Sequence, residues 1–377
     1  MNLEDPLLAY VIALTRGEQV PFPESTRDQQ DRLLSSLQCH WFKPFLYWRI
    51  MACPVRLRPP ARITNVFESA YFNSLQSSLI VDKQLTGIAD AFVEEGVEFL
   101  VLKGAALSRT IYPDPFLRPG SDIDIMVRPV DARHARRAME KAGYTCNYPY
   151  FDVSERYFCE EVFTPKDGRT GIVPVEVHWS PTAFPALNEN FDIDSLFHRS
   201  VPAMAGKRGI RVMDQADAMI YQAVHMIANH FDNVRLSWIN DTAFLCRHLT
   251  ATGGWETFRS RAAESRVGPM LRPALRMAEL WTGVSIPQDL YIPDHEAEKK
   301  VLGLFDGVKM RRNDITSFAS VKWPEGATFF ERCRIFKFLV VPPEFVMRDE
   351  YFPGQDIPLP VMHLKRWAII VNRHLHR

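Results

Sequence analysis

The run Ser121-Asp122-Ile123-Asp124-Ile125-Met126-Val127 constrains this chain more than any other segment. Side chains of a β-strand alternate between faces. An extended run therefore puts Asp122 and Asp124 on one face, with Ile123, Ile125 and Val127 on the other. The apolar set can anchor the strand in a core while both carboxylates stand together. Aspartate is depleted in strands, and two like charges held this close repel, so the pair calls for a neutralising partner. A divalent cation with a taste for hard oxygen ligands, Mg2+ or Mn2+, is the natural candidate. The plain alternative is a solvated strand face.

A third carboxylate shifts the balance. Glu176 lies in Val175-Glu176-Val177-His178-Trp179, a second alternating segment. If the two strands are neighbours, Glu176 faces the aspartate pair. Three carboxylates can hold two metal ions, the arrangement that clamps the attacking and leaving oxygens of a phosphoryl displacement. Glu176 or Asp124 can also take a proton from the attacking hydroxyl. The alternative for Glu176 is an exposed acid paired with a lysine. His178 shares the face of Glu176, orienting a metal site, meeting the acceptor, or packing beside Trp179.

Upstream, the apolar run at 99–102 suits a buried strand, and Lys103-Gly104-Ala105-Ala106 follows it. Glycine permits a close backbone approach to a phosphate, and the N-terminus of a following helix favours anions. Lys103 is expected to neutralise a nucleotide tail. Arg118 is expected to pair with a phosphate bidentately, or else to be a surface arginine.

The rest of the chain frames this core. Apolar stripes from Leu7 to Leu14 and from Leu33 to Leu37 predict helices, interrupted at Pro54, Pro59 and Pro60. Ile80, Gln84, Ile88, Ala91 and Phe92 predict a helix closed by Gly96. Further strands are expected at 123–127, 157–164 and 172–177, the last two joined across 165–169, with a helix at 130–142 between them. Beyond 205 the pattern is helical: Asp214 reads as an N-cap, and another helix is expected at 236–249. The organisation expected is an N-terminal helical region at 1–78, an α+β core with a short mixed sheet at 79–204, a helical domain at 205–290, and a helical or irregular region at 291–377. The last carries short aromatic segments such as 336–339.

Lys plus Arg and Asp plus Glu both number 45, giving a formal net charge of zero. No global field recruits a polyanion, which argues against a long nucleic-acid partner. The six cysteines are scattered without a Cys-x-x-Cys pair, so a thiol zinc site or disulfide framework is not expected. The start, Met1-Asn2-Leu3-Glu4-Asp5, lacks the features of a signal peptide. No run reaches the roughly 18 apolar residues of a spanning helix. A cytoplasmic protein without a transmembrane segment is the expectation.

The order of these parts resembles the nucleotidyltransferase fold of the DNA polymerase beta superfamily. More narrowly, Leu102-Lys103-Gly104, Asp122-Ile123-Asp124 and Glu176-Val177-His178-Trp179 resemble a bacterial group of uncharacterised nucleotidyltransferases, over about residues 79–250. The resemblance implies transfer of a nucleoside monophosphate from ATP or another nucleoside triphosphate to an acceptor, with magnesium and release of pyrophosphate. The acceptor expected is a hydroxyl of a small molecule, peptide or protein. Asp122, Asp124 and Glu176 take the metal-ligand and base roles. Lys103, Gly104, Ala105, Ser108, Arg118 and Ser121 fall in the nucleotide-contacting region. One departure stands out: the wider superfamily has Gly-Ser or Gly-Gly at the turn, whereas this chain has Gly104-Ala105 and no hydroxyl there. Either Lys103 or Ser108 is then the substitute, or the site binds nucleotide weakly.

Two other readings remain: a non-catalytic nucleotide- or partner-binding protein that keeps the fold, and a phosphotransferase that moves the terminal phosphate. His225, His230 and Asp241 lack zinc-like spacing; His225, Asn229 and Asp241 are expected to meet the acceptor or to brace helices. The basic amphipathic run at 363–373 is expected to be a docked terminal helix rather than a membrane-surface helix.

Overall fold

The computed structural model describes residues 5–146, 159–166, 171–182, 188, 191–230, 234–265, 267–290, 341, 347 and 357–375. The chain divides into two compact units, one of residues 1–146 and 159–308, the other of 147–158 and 309–377.

The centre of the first unit is a mixed sheet of seven strands among the described residues: β1 (Leu100–Val101), β2 (Ile123–Met126), β3 (Tyr144–Cys146), β4 (Glu160–Pro165), β5 (Val175–His178), β6 (Val201–Ala205) and β7 (Arg208–Val212). Their order is β3-β4-β5-β2-β1-β7-β6. β2 lies between β1, which is antiparallel to it, and β5, which is parallel. β4 runs antiparallel to β5, and β7 parallel to β1. Ile123, Ile125, Val175 and Val177 are at most 2% exposed, so the apolar half of each alternating segment is buried as the patterns require.

β4 and β5 fall in the segments where strands are expected, with somewhat different limits, and the connection at 167–170 lies outside the described residues. The β6–β7 hairpin and β3 were not anticipated. The hairpin turns at Gly206, whose φ of +56° is one that glycine adopts without steric cost. β7 buries Ile210 and Val212 while Arg211 points outward. Pro202 sits on β6, an edge strand of the sheet, where its missing N–H costs no ladder bond.

Helices surround the sheet. The N-terminal set is α1 (Pro6–Arg16), α2 (Arg27–Ser36), α3 (Lys43–Met51) and α4 (Ala61–Glu94). Asp5 caps α1 by accepting the Leu7 N–H at 2.9 Å, and α4 runs unbroken through position 78 to the turn at Gly96. Gln84 pins α4 to the sheet by donating to Tyr144 Oη and to the Val173 carbonyl, both at 2.9 Å. Next come α5 (Lys103–Thr110), α6 (Ala132–Lys141), α7 (Ile193–Arg199) and α8 (Gln215–Val224), then α9 (Leu236–Thr252), α10 (Trp255–Glu264) and α11 (Gly268–Thr282). Asp214 does cap α8, accepting the Ala216 and Asp217 N–H groups at 3.0 Å. α8 passes into a π-helical turn, His225–Asn229.

The N-terminal helices and α8 to α11 bury one apolar core that includes Leu7, Phe45, Phe67, Ile239, Leu245 and Trp281. Each such side chain contributes roughly 1.5–3 kcal/mol relative to exposure. A second cluster joins Leu100, Leu102 and Met126 of the sheet region to Leu196 and Phe197 of α7 and Tyr221 of α8. By alternation Met126 shares its face with Asp124. α7 and α8 therefore cover the face of the sheet on which the acidic side chains stand.

In the second unit, α12 (Leu359–Leu375) carries the basic run, and its Met362 packs with Met347, Ile357 and Leu359. Residues 336–339 and Cys333 lie outside the described residues. Cys53, Cys159 and Cys246 form no disulfide among the described residues. No described helix is long and apolar enough to cross a membrane.

Candidate active site

Strand register brings the acids together. Asp124 on β2 is the direct neighbour of Glu176 on β5, and Met126 of His178. Glu160, at the start of β4, lies opposite His178. The alternation that buries the isoleucines and valines thus delivers Asp124, Glu176 and His178 to one face.

The Lys103 turn completes this cluster. The Leu102 N–H donates to the Asp124 carbonyl at 2.9 Å, fixing the end of β1 beside β2. Lys103 then adopts a φ of +46°, a left-handed conformation that costs a non-glycine residue about 1–2 kcal/mol. Its ammonium reaches back to the acids, 2.6 Å from Asp124 Oδ1 and 3.9 Å from Glu176 Oε2. His178 Nε2 stands 3.0 Å from the same Asp124 oxygen and 3.5 Å from Glu176 Oε2, while its Nδ1 is 2.8 Å from Glu160 Oε2.

These charges set one another's protonation. Burial disfavours the Asp124 anion, but Lys103 and His178 overcome it and hold this carboxyl well below the usual range. Burial likewise opposes the charged forms of Lys103 and His178, yet Asp124 keeps the lysine charged and Glu160 does the same for the imidazole. Glu160, despite burial, is held down to about 2 by His178. Glu176 is pushed up to about 7 by burial and by the Asp124 charge. Asp122 is also raised, by burial and by Asp124.

Asp124, Glu176 and His178 each offer a donor atom, and these atoms all lie within 4.8 Å of one another. Two carboxylates and an imidazole at that spacing fit a single divalent cation. The Lys103 ammonium against Asp124 is a cation already drawn to the same place. Asp122 stands one residue before β2 and is not part of this group.

Asp122 lines a neighbouring cleft instead, together with Gly104, Ala105 and Ser108 at the start of α5, Arg118 and Gly120. Ser121 is half-buried just before β2. The Ser108 hydroxyl is directed along its own helix, donating to the Ala105 carbonyl at 3.2 Å. Ser74, Ser77 and Ser78 of α4 also line the cleft. Their i, i+3, i+4 spacing puts three hydroxyls on one helix face, a signal that sequence reading missed.

Arg118 has a different partner from the one expected. Its Nε and Nη2 grip Asp241 on α9 at 2.8–3.0 Å, and Tyr112 Oη donates to the same carboxylate at 2.7 Å. Nη1 donates to the Pro119 carbonyl at 2.7 Å. The guanidinium lies where a side chain on residue 104 would project, 3.1–3.2 Å from a Cβ built there. Gly104 is therefore a glycine that makes room for Arg118 as well as one that leaves its backbone open.

The histidines of the helical region do not converge on Asp241, which is engaged with Arg118. The rings of His225, His230 and Trp238 pack together at 4.6–5.1 Å between centroids. His225 Nδ1 is buried without a hydrogen-bond partner among the described residues. Burial, reinforced by the Lys103 charge, keeps both imidazoles neutral: His230 falls to about 4 and His225 is also well below its ordinary value. Tyr221 lines a cavity of about 530 Å³ that Arg199, Asp217 and Arg261 also border.

Among known protein families, one described as uncharacterised nucleotidyltransferase matches residues 26–283, a span that holds all seven strands and every residue of this site. No curated protein and no solved structure matches the chain.

Proposed function

The chain belongs to the uncharacterised nucleotidyltransferase family, and from that premise we propose that it transfers AMP from ATP to a hydroxyl of a small-molecule, peptide or protein acceptor. The observation that carries this reading is the register pairing of Asp124 with Glu176 beside the Lys103-Gly104 turn. One edge of the site then offers acids for a cation and the other a turn for phosphates.

Asp124, Glu176 and His178 would hold a divalent cation, with Asp122 at the margin toward the phosphate cleft. A bound divalent ion supplies positive charge to the reacting phosphate and eases loss of the acceptor's proton. Lys103, relieved of Asp124, turns its ammonium to the triphosphate. Gly104 and the first N–H groups of α5 face the phosphate oxygens, where the helix terminus favours negative charge. Ser77 and Ser78 supply the hydroxyls that Ala105 lacks. The acceptor oxygen bonds to the α-phosphorus, the bond from that phosphorus to the bridging oxygen breaks, and pyrophosphate leaves. The hydroxyl proton passes to a carboxylate oxygen of Glu176. The Tyr221-lined cavity, beside the covered face of the sheet, receives the acceptor.

The test uses ATP labelled at either the α- or the γ-phosphorus, a divalent ion, and a lysate of the native host. α-label on an acceptor, absent with the double variant Asp122→Asn, Asp124→Asn, supports the reading. γ-label alone would make the protein a phosphotransferase. Transfer that survives the double substitution would put the chemistry elsewhere in the molecule.

A further inference from the structure

We propose that this centre selects a divalent transition-metal ion, with Mn2+ bound in preference to Mg2+, because His178 enters the donor group as a nitrogen ligand oriented by Glu160. The inference rests on the reading of the site as a metal centre and adds the identity of the ion.

The geometry begins in the register of three strands. β5 places Glu176 and His178 on one face, two residues apart. β4 places Glu160 opposite His178, with Oε2 2.8 Å from Nδ1. A donor bond from Nδ1–H to this carboxylate sets the ring's orientation, and Nε2, which gives up its proton when a cation binds, is directed between Asp124 Oδ1 and Glu176 Oε2, at 3.0 and 3.5 Å. A carboxylate behind a histidine that faces a metal is the arrangement by which proteins fix the ligand tautomer and raise its basicity. The side chain of His178 is only 3% exposed, so the imidazole has no second orientation in water to adopt.

The choice of ion follows from this donor set. Mg2+ holds oxygen ligands in a strict octahedron and keeps several waters. Imidazole suits the transition metals instead, and Mn2+ also accepts carboxylate, phosphate and water oxygens. A site of three carboxylates would discriminate weakly between the two ions. Replacing one carboxylate by a held imidazole tilts it toward Mn2+.

The test is pulsed electron paramagnetic resonance on the full chain loaded with Mn2+, alongside calorimetric titration with Mn2+ and with Mg2+. The expected result is a 14N coupling to the bound Mn2+ and tighter binding of Mn2+ than of Mg2+. The coupling should vanish in His178→Gln. Glu160→Gln should keep it but weaken Mn2+ binding about 10- to 100-fold, the usual effect of losing such an outer partner. Thermal melting checks that each variant is folded, and Glu160→Gln carries the test if His178→Gln is not. Mn2+ that binds without a nitrogen coupling, or Mg2+ that binds as tightly, overturns the selectivity and leaves the transferase reading standing. Failure of every divalent ion to bind, with ATP present, overturns both.

Discussion

Removing the charge of Asp241 should destabilise the protein severely although the residue touches no expected ligand. Asp241 is fully buried, and the Arg118 side chain is 7% exposed, so the pair lies outside the regime of surface ion pairs worth about 0–1 kcal/mol. The carboxylate accepts three contacts from Arg118 and one from Tyr112. In Asp241→Asn a single amide oxygen must serve both guanidinium nitrogens, while the new NH2 faces donors. Breaking a buried pair from one side costs about 3–5 kcal/mol, because the remaining charge is stranded. In a unit of this size that corresponds to a fall in melting temperature of roughly 5–8 °C, readable by calorimetry or circular dichroism. The double variant Arg118→Met, Asp241→Leu should recover most of the loss, since an apolar pair of similar volume often matches a buried ion pair. The Arg118 guanidinium also braces Gly104 and the Pro119 carbonyl, so Asp241→Asn should weaken nucleotide binding as well. A melting temperature within about 1 °C of the parent would refute the argument, for it would mean that the pair is effectively solvated.

Three further outcomes are expected. Lys103→Met removes the cation from Asp124, so the metal-free protein should lose stability at pH 7, and added Mn2+ should restore more of it than in the parent; equal response of the two proteins would contradict this role. Glu176 has a folded-state pKa raised from 4.5 to about 7. Its neutral form is therefore favoured on folding, a gain fully present below pH 4.5 and lost as the pH rises through 7. Glu176→Gln should accordingly stabilise the metal-free protein by on the order of 3 kcal/mol at pH 8 and hardly at all at pH 4, and in the parent cation affinity should rise between pH 6 and 8. An effect independent of pH in urea denaturation would count against the shift. Gly104→Val drives a side chain into the Arg118 guanidinium and should cost about 1–3 kcal/mol while weakening ATP binding measured by calorimetry; unchanged affinity would remove Gly104 from the phosphate cleft.

Short-range pattern carried much of this site. Strand alternation put Asp122 with Asp124 and Glu176 with His178; the pairing of β2 with β5 then joined Asp124, Glu176 and His178, while Asp122 fell just outside the strand. The Asp214 cap was legible for the same reason. What escaped was non-local. Glu160 matters through its register with His178, which nothing in its own segment encodes. Arg118 reads as a phosphate ligand until α9 brings Asp241 to it from 123 positions away. Lys103 reads as a partner for a nucleotide tail; the left-handed backbone that turns its ammonium to Asp124 is visible only once β1 and β2 are paired. The helical region expected to end near 78 and the helix expected after it are one helix, Ala61–Glu94, and the polar stretch with Ser74, Ser77 and Ser78 gave no sign that this face lines the cleft. The β6–β7 hairpin was missed because Pro202 and two glycines dilute its alternation.

The central claim is that the acids on β2 and β5 support nucleotidyl transfer. The most direct measurement is release of pyrophosphate from ATP in the presence of acceptor and a divalent ion, compared between the parent and Asp124→Asn. The account predicts one pyrophosphate for each AMP joined to acceptor in the parent, and neither product from the variant. Release of orthophosphate instead, or pyrophosphate from Asp124→Asn at the parent rate, would contradict it.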